Sequence, residues 1–178
     1  RTLFPYTTLF RSIQAYYLNI YPANSMRIKL FNAMFKQADA NEIQDIANEY
    51  AQRLVRQLDQ NLYQQLLKHQ TNGDDVVLVS ASVDIYLKII CQILDIDLIC
   101  TGTEVIDGKF TGNYSTPDCS CEQKRLRILE KYDLDQYDKI FAYGNSEEDL
   151  DMLHLADYQY MVGKDQVLPY LEDEKKFA

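Results

Sequence analysis

The sequence predicts an α/β fold, a three-layer arrangement of parallel sheet and helices with a smaller helical unit ahead of it. Three observations carry that expectation. Residues 76–79 form a continuous β-branched and apolar run, the composition of a strand covered on both faces. Residues 139–143 lead through Gly144 into an acidic loop, after which Leu150 and Leu153 return at helical spacing. Strand-like and helix-like segments alternate from residue 73 onward, and with right-handed crossovers such alternation yields a parallel sheet.

The first twelve residues stand apart from this pattern. They lack the charged start, long apolar stretch and small-residue cleavage site of a signal peptide. From Thr2 to Ser12 they resemble, residue for residue, the conceptual translation of a sequencing-library adapter, and no Met begins the chain. Residues 1–12 are therefore expected to be an artefactual segment, with 13–72 a helical cap and 73–178 the α/β core.

Within 13–70 the apolar residues repeat at helical spacing. Met26, Leu30, Ala33 and Met34 share one face, and Ile43, Ile46, Ala47, Tyr50, Leu54 and Leu58 share another. Asp39 or Asn41 is placed to cap the second helix, and Tyr16, Tyr17, Tyr21, Phe31 and Phe35 read as aromatic filling. Thr71-Asn72-Gly73-Asp74 breaks the pattern. Further on, residues 83–94 read as a helix and 96–100 as a strand. Asp107-Gly108 between short apolar segments signals a type I′ hairpin. A basic helix over 121–132 and a short strand over 158–162 complete the core.

Composition narrows the partners. A net charge of −9, or −11 once Arg1 and Arg11 are set aside (16 basic against 27 acidic residues), disfavours nucleic acid and anionic membranes, which are bound by clustered Lys and Arg. No apolar run approaches the roughly 20 residues that cross a bilayer. Cys91, Cys100, Cys119 and Cys121 form no Cys-x-x-Cys arrangement and read as reduced thiols of a cytoplasmic protein. Oligomeric state leaves no trace in the sequence.

Chemistry is expected at the strand ends. Ser80 and Ala81 close the first strand, where backbone N–H groups, a hydroxyl and a following helix suit an anion; Ser82 reads as the cap of that helix. Lys124, near the start of the basic helix, is placed to neutralise a phosphate, while the remaining basic residues there read as solvated. Asn145, Glu147, Glu148 and Asp149 offer oxygen ligands to a hard cation such as Mg2+, although Ser146-x-x-Asp149 is equally a capping box.

The order of these features carries a resemblance. Val-Val-Leu-Val-Ser-Ala-Ser (76–82), Thr-Glu-Val-Ile-Asp-Gly-Lys-Phe-Thr-Gly (103–112), Glu-Gln-Lys (122–124) and Tyr-Gly-Asn-Ser-Glu-Glu-Asp-Leu-Asp-Met-Leu (143–153) resemble the haloacid dehalogenase superfamily. The nearest branch is that of phosphoserine phosphatase, which bears a helical cap. The resemblance implies an Mg2+-dependent phosphatase that hydrolyses a small phosphorylated metabolite through an aspartyl-phosphate. By the same resemblance Ser80 and Lys124 are catalytic, Ser80, Ala81 and Lys124 bind phosphate, and Asn145 and Asp149 hold the metal. Asn145 replaces the usual Asp, which removes a charge, and Glu148 stands where phosphoserine phosphatases often have Asn. The family's Asp-x-Asp-x-Thr nucleophile motif is absent. Asp95-Ile-Asp97 and Asp133-Leu-Asp135 have its pair spacing but lie after Ser80 in the chain. The expectation is a chain truncated ahead of its catalytic Asp and central strand. The alternatives are a non-catalytic phospho-ligand-binding protein or a phosphotransferase.

Overall fold

A computed structural model describes residues 23–172. Two of its helices begin where an Asp side chain satisfies free N–H groups. Helix α1 (Ala23–Phe35) is followed by α2 (Ala40–Val55), whose first turn is closed by Asp39 accepting from the N–H groups of Asn41 and Glu42. Asp59 opens a separate helix, α3 (Gln60–Asn72), by accepting from Asn61 and Leu62, so the helical pattern expected to run through Leu58 is divided. Gly73 ends α3 in the left-handed conformation, φ 85°. Tyr16, Tyr17 and Tyr21 lie outside the described residues.

The next segment is a parallel βαβ unit of β1 (Val77–Val83), α4 (Asp84–Leu94) and β2 (Asp97–Thr101). Val77 through Ser80 pair in register with Asp97 through Cys100, and an irregularity follows before Val83 meets Thr101. The strand thus runs past its expected end. Ser82 does not cap α4: the continuing strand puts Val83 at the N-cap position without a side-chain bond, and the Ser82 N–H donates to Ser80 Oγ at 3.1 Å.

Strands β3 (Thr103–Ile106) and β4 (Lys109–Tyr114) form the expected hairpin. Its turn residues Asp107 and Gly108 have φ of 51° and 74°, the double left-handed geometry of a type I′ turn. Helix α5 (Glu122–Lys131), strand β5 (Phe141–Gly144), a 3-10 turn (Glu147–Asp149), helix α6 (Leu150–Leu153) and strand β6 (Tyr158–Met161) complete the order. Strands β5 and β6 are parallel, and among the described residues no ladder joins this pair to β1 and β2.

Packing corrects two details of the hydrophobic pattern. Met34 and Ile46 are 58% and 64% exposed, whereas Ala47 and Ala51 are buried. Helix α2 packs on α4, where Ala51, Leu87, Ile90 and Cys100 form a core cluster. Small side chains at that seam let the two backbones approach, so the contact stripe runs through alanines rather than through Ile46. Helix α1 lies against the hairpin: Phe31 stacks on Phe35 at 4.8 Å and meets the edge of Phe110 at 6.3 Å. Gly112 permits this approach. It holds φ 85°, and a Cβ there would fall 2.7 Å from Asn32 Nδ2.

Helix α3 is pinned to β5 by a polar network. His69 lies between Asp74 (Nδ1 to Oδ2, 2.6 Å) and the Tyr143 hydroxyl (Nε2, 2.8 Å), and Gln65 Nε2 donates to that hydroxyl at 3.0 Å. Tyr143 stands two residues before Asn145, so this network anchors the strand that delivers the acidic loop.

Ala51 is fully buried at the α2–α4 seam. Enlarging it in Ala51→Leu is expected to force the helices apart and cost about 1–3 kcal/mol, read as a lower urea midpoint at unchanged slope.

Candidate active site

Two strand ends and two loops meet through a short chain of hydrogen bonds. Thr101, at the end of β2 and completely buried, donates its hydroxyl to the Ala81 carbonyl at 2.9 Å. The same oxygen accepts the Cys119 N–H at 3.0 Å. Cys121, two residues on, donates its N–H to the Glu148 carbonyl at 3.1 Å. The part of β1 carrying Ser80 and Ala81, the segment leading to Lys124 and the acidic loop after β5 are thereby tied in sequence.

At Ser80 the Oγ accepts the Ser82 N–H, which leaves the hydroxyl proton to donate. That polarity suits an anion placed beyond the strand end.

The electrostatic centre is the ion pair of Lys124 with Asp149 Oδ1. Lys124 is 6% exposed and Asp149 4% exposed. The second oxygen, Oδ2, accepts from the Asn145 N–H at 2.8 Å, the Ser146 N–H at 3.0 Å and the Ser146 hydroxyl at 3.2 Å. Burial pushes this carboxyl's pKa up, but the Lys124 ammonium and the Asn145 and Ser146 N–H groups outweigh it, and the group titrates below its ordinary range. The reach of Asp149 back to the Ser146 N–H is also the side-chain half of a capping box. Gly144 is required by close approach: a Cβ there would lie 2.8 Å from Asp149 Cβ.

Of the residues singled out from sequence, Lys124, Asn145 and Asp149 are brought together. Ala81 is tied toward this group through Thr101, and among the described residues no hydrogen bond joins Ser80 to Thr101, Lys124 or Asn145. Arg127, expected to be solvated, instead donates to the Cys100 carbonyl. The two Asp pairs set aside earlier are indeed elsewhere. Asp97 opens β2 and is held by Lys131 and Tyr132, Asp95 ends α4 at φ 52°, and Asp133 caps a 3-10 turn. Cys91 and Cys100 are no nucleophiles at neutral pH, since burial pushes their thiols up to about 11 and about 12.

Sequence reading passed over three residues here. Thr101 was hidden because a single Thr at a strand end carries no pattern. Arg27 on α1 forms a two-pronged pair with Asp118, Nε to Oδ2 at 2.8 Å and Nη2 to Oδ1 at 2.9 Å, and its Nη1 reaches Glu148 at 3.1 Å. Those partners lie 91 and 121 residues away, beyond any local signal.

Asn145 is exposed and offers one neutral oxygen, while both oxygens of Asp149 are already engaged. Among the described residues no group of three or more His, Cys, Asp or Glu side chains could hold a metal ion. These residues do not by themselves fit a divalent ion, which favours several anionic or water oxygens in near-octahedral array.

Comparison with known proteins adds independent findings. The family model described as haloacid dehalogenase-like hydrolase matches residues 2–154. A curated histidinol-phosphatase of Neisseria meningitidis serogroup C (strain 8013) is 29% identical over 116 residues, 60% of this chain and 51% of the relative. The chain thus spans about half the length of that relative. A solved protein of unknown function from Bordetella pertussis Tohama I superposes with TM-score 0.74 at 19% identity, covering 84% of this chain and 70% of the other. A probable phosphoserine phosphatase from Vibrio cholerae superposes with TM-score 0.67 at 17% identity, covering 86% and 46%. These superpositions show the α/β fold that the alternating pattern predicts.

The lowered carboxyl at Asp149 sets an acid limb. Its stabilising effect is complete above the ordinary carboxylate value of 3.8 and is lost as pH falls through the lower value of the folded protein. Thermal unfolding followed from pH 6 to pH 2 is expected to show melting falling steeply below about pH 4. In Asp149→Asn that limb should be shallower and the protein less stable at neutral pH, because Lys124 loses its counter-charge.

Proposed function

Since the chain belongs to the haloacid dehalogenase-like hydrolase family, we propose that its gene product is a phosphomonoester hydrolase acting on a small phosphorylated metabolite. The observation that carries this reading is the buried Lys124–Asp149 pair, beside a segment that Thr101 ties to the Ala81 carbonyl next to Ser80. Together these residues offer what a phosphoryl group requires, a fixed cation and a hydroxyl donor. The histidinol-phosphatase and probable phosphoserine phosphatase relatives support the substrate class.

In the proposed roles the Ser80 Oγ–H donates to a phosphoryl oxygen, helped by the Ala81 N–H, and Lys124 balances the charge that builds during transfer. The nucleophile would be an Asp that forms and then loses an aspartyl-phosphate. No Asp-x-Asp-x-Thr occurs in the 178 residues, and the two parallel strand pairs are not joined among the described residues. Both support a further strand bearing that Asp, supplied by coding sequence upstream, between β1 and β5. Helices within 13–72 would then act as the cap over the core. Mg2+ dependence is part of the proposal, with Asn145 as one neutral ligand and the remaining oxygens coming from that strand. Four free thiols support a cytoplasmic setting.

Turnover of p-nitrophenyl phosphate by the product of the complete coding sequence tests the reading. Mg2+-dependent release of phosphate that falls by about 100-fold or more in Ser80→Ala and Lys124→Ala is expected. Phosphate binding without turnover in the complete product would favour the non-catalytic binding protein, and transfer to an added alcohol the phosphotransferase. Asn145→Asp is expected to lower the Mg2+ concentration for half-maximal activity by roughly tenfold, because it restores a charged ligand. An unchanged Mg2+ requirement would remove Asn145 from the metal site.

A further inference from the structure

Arg27 lies on α1, outside every motif of the site, yet it is the residue that joins two of the site's segments from a third. Its guanidinium commits all three nitrogens: Nε and Nη2 to the two oxygens of Asp118, and Nη1 to both oxygens of Glu148 at 3.1 and 3.3 Å. Asp118 begins the stretch that passes through Cys119 and Cys121 to Lys124, and Glu148 immediately precedes Asp149. The Asp118 side chain is only 6% exposed, so it needs a counter-charge. Burial pushes its carboxyl up, but the Arg27 guanidinium, with Ser120 and Lys124, holds it below the ordinary range. Removing Arg27 would leave two carboxylates beside the ammonium that Asp149 has to hold. A lysine could not replace it fully, because an ammonium is a point charge without the planar fork that grips one carboxylate at two points while reaching a second.

We propose that Arg27 is a positioning residue of the site: by clamping Asp118 and Glu148 it holds the Lys124-bearing segment against the acidic loop and so couples docking of α1 to affinity for a phosphoryl group. The inference rests on the proposed phosphate site, and it names the contact through which the helical segment reports to that site. Helix α1 also packs on the β3–β4 hairpin, and Arg27 links it to the reacting end of the core.

The test uses the full chain with inorganic phosphate as probe, binding followed by calorimetry, and amide hydrogen exchange at Cys121, Asn145 and Ser146, whose N–H groups are bonded in the structure. In Arg27→Ala, phosphate affinity is expected to fall roughly tenfold or more, as a displaced binding group would cause, and exchange at those amides to rise while the β1–β2 ladder stays protected. Arg27→Lys should lie between Ala and wild type. Glu148→Gln, which keeps the side-chain shape, should weaken phosphate binding less than Arg27→Ala and should diminish the further effect of Arg27→Lys. If Arg27→Lys and Glu148→Gln fold with wild-type phosphate affinity and unchanged exchange at the site amides, the proposal is overturned. Should wild type itself bind no phosphate, the functional reading falls, and the exchange comparison alone then decides whether Arg27 positions these segments.

Discussion

The pairing of Lys124 with Asp149 is the constraint on which the site's geometry depends. An ammonium and a carboxylate this deeply buried are costly to desolvate, and their mutual attraction offsets that cost only when the geometry and the surrounding hydrogen bonds are good. Asn145 and Ser146 supply those bonds from the backbone, and Gly144 provides room for Asp149 by lacking a side chain. The start of α5 and the loop after β5 therefore have little freedom to move apart. Under the proposed function, a phosphoryl dianion arriving nearby would compete with Asp149 for the ammonium, in a setting where water screens little.

Around that pair the fold adds single hydroxyls and charges to the apolar cluster of Ile99, Cys119 and Ile128 that joins the same segments. Thr101 uses one oxygen as donor to Ala81 and acceptor from Cys119, so the end of β2 joins β1 to a loop far from it in sequence. On the other side, the His69–Tyr143–Gln65 network holds α3 to β5 just before the acidic loop. Arg27 adds a third support from α1. Each is a half-buried or buried polar contact, and removal of one partner leaves the other unsatisfied, the situation in which polar groups become most costly.

Much of the local structure was legible in the sequence. Asp39 as a cap, Asp107-Gly108 as a type I′ turn, and the strand, acidic loop and helix around Gly144 all follow from short-range stereochemistry and are found as read. The failures came where a neighbour decided. Ile46 has the hydropathy of a core residue and lies exposed, because α2 turns its buried Ala51 toward α4, and Met34 on α1 is exposed as well. Ser82 has the right side chain for a cap, yet β1 continues beyond Ser80 to pair Val83 with Thr101 and carries Ser82 past that role.

The sequence by itself determined the order of strands and helices, because periodicity and turn residues are properties of neighbouring positions, and it singled out Ser80, Lys124, Asn145 and Asp149 as the groups proposed for the site. Only the tertiary structure decided how those groups are held: that Asp149 turns both oxygens inward, that Thr101 joins β1 to the Cys119 segment, and that Arg27 clamps Asp118 and Glu148. The physical reason is one of range. Backbone propensity acts over a few residues, whereas a buried charge finds its partner wherever packing brings the two together, however many residues of chain lie between them.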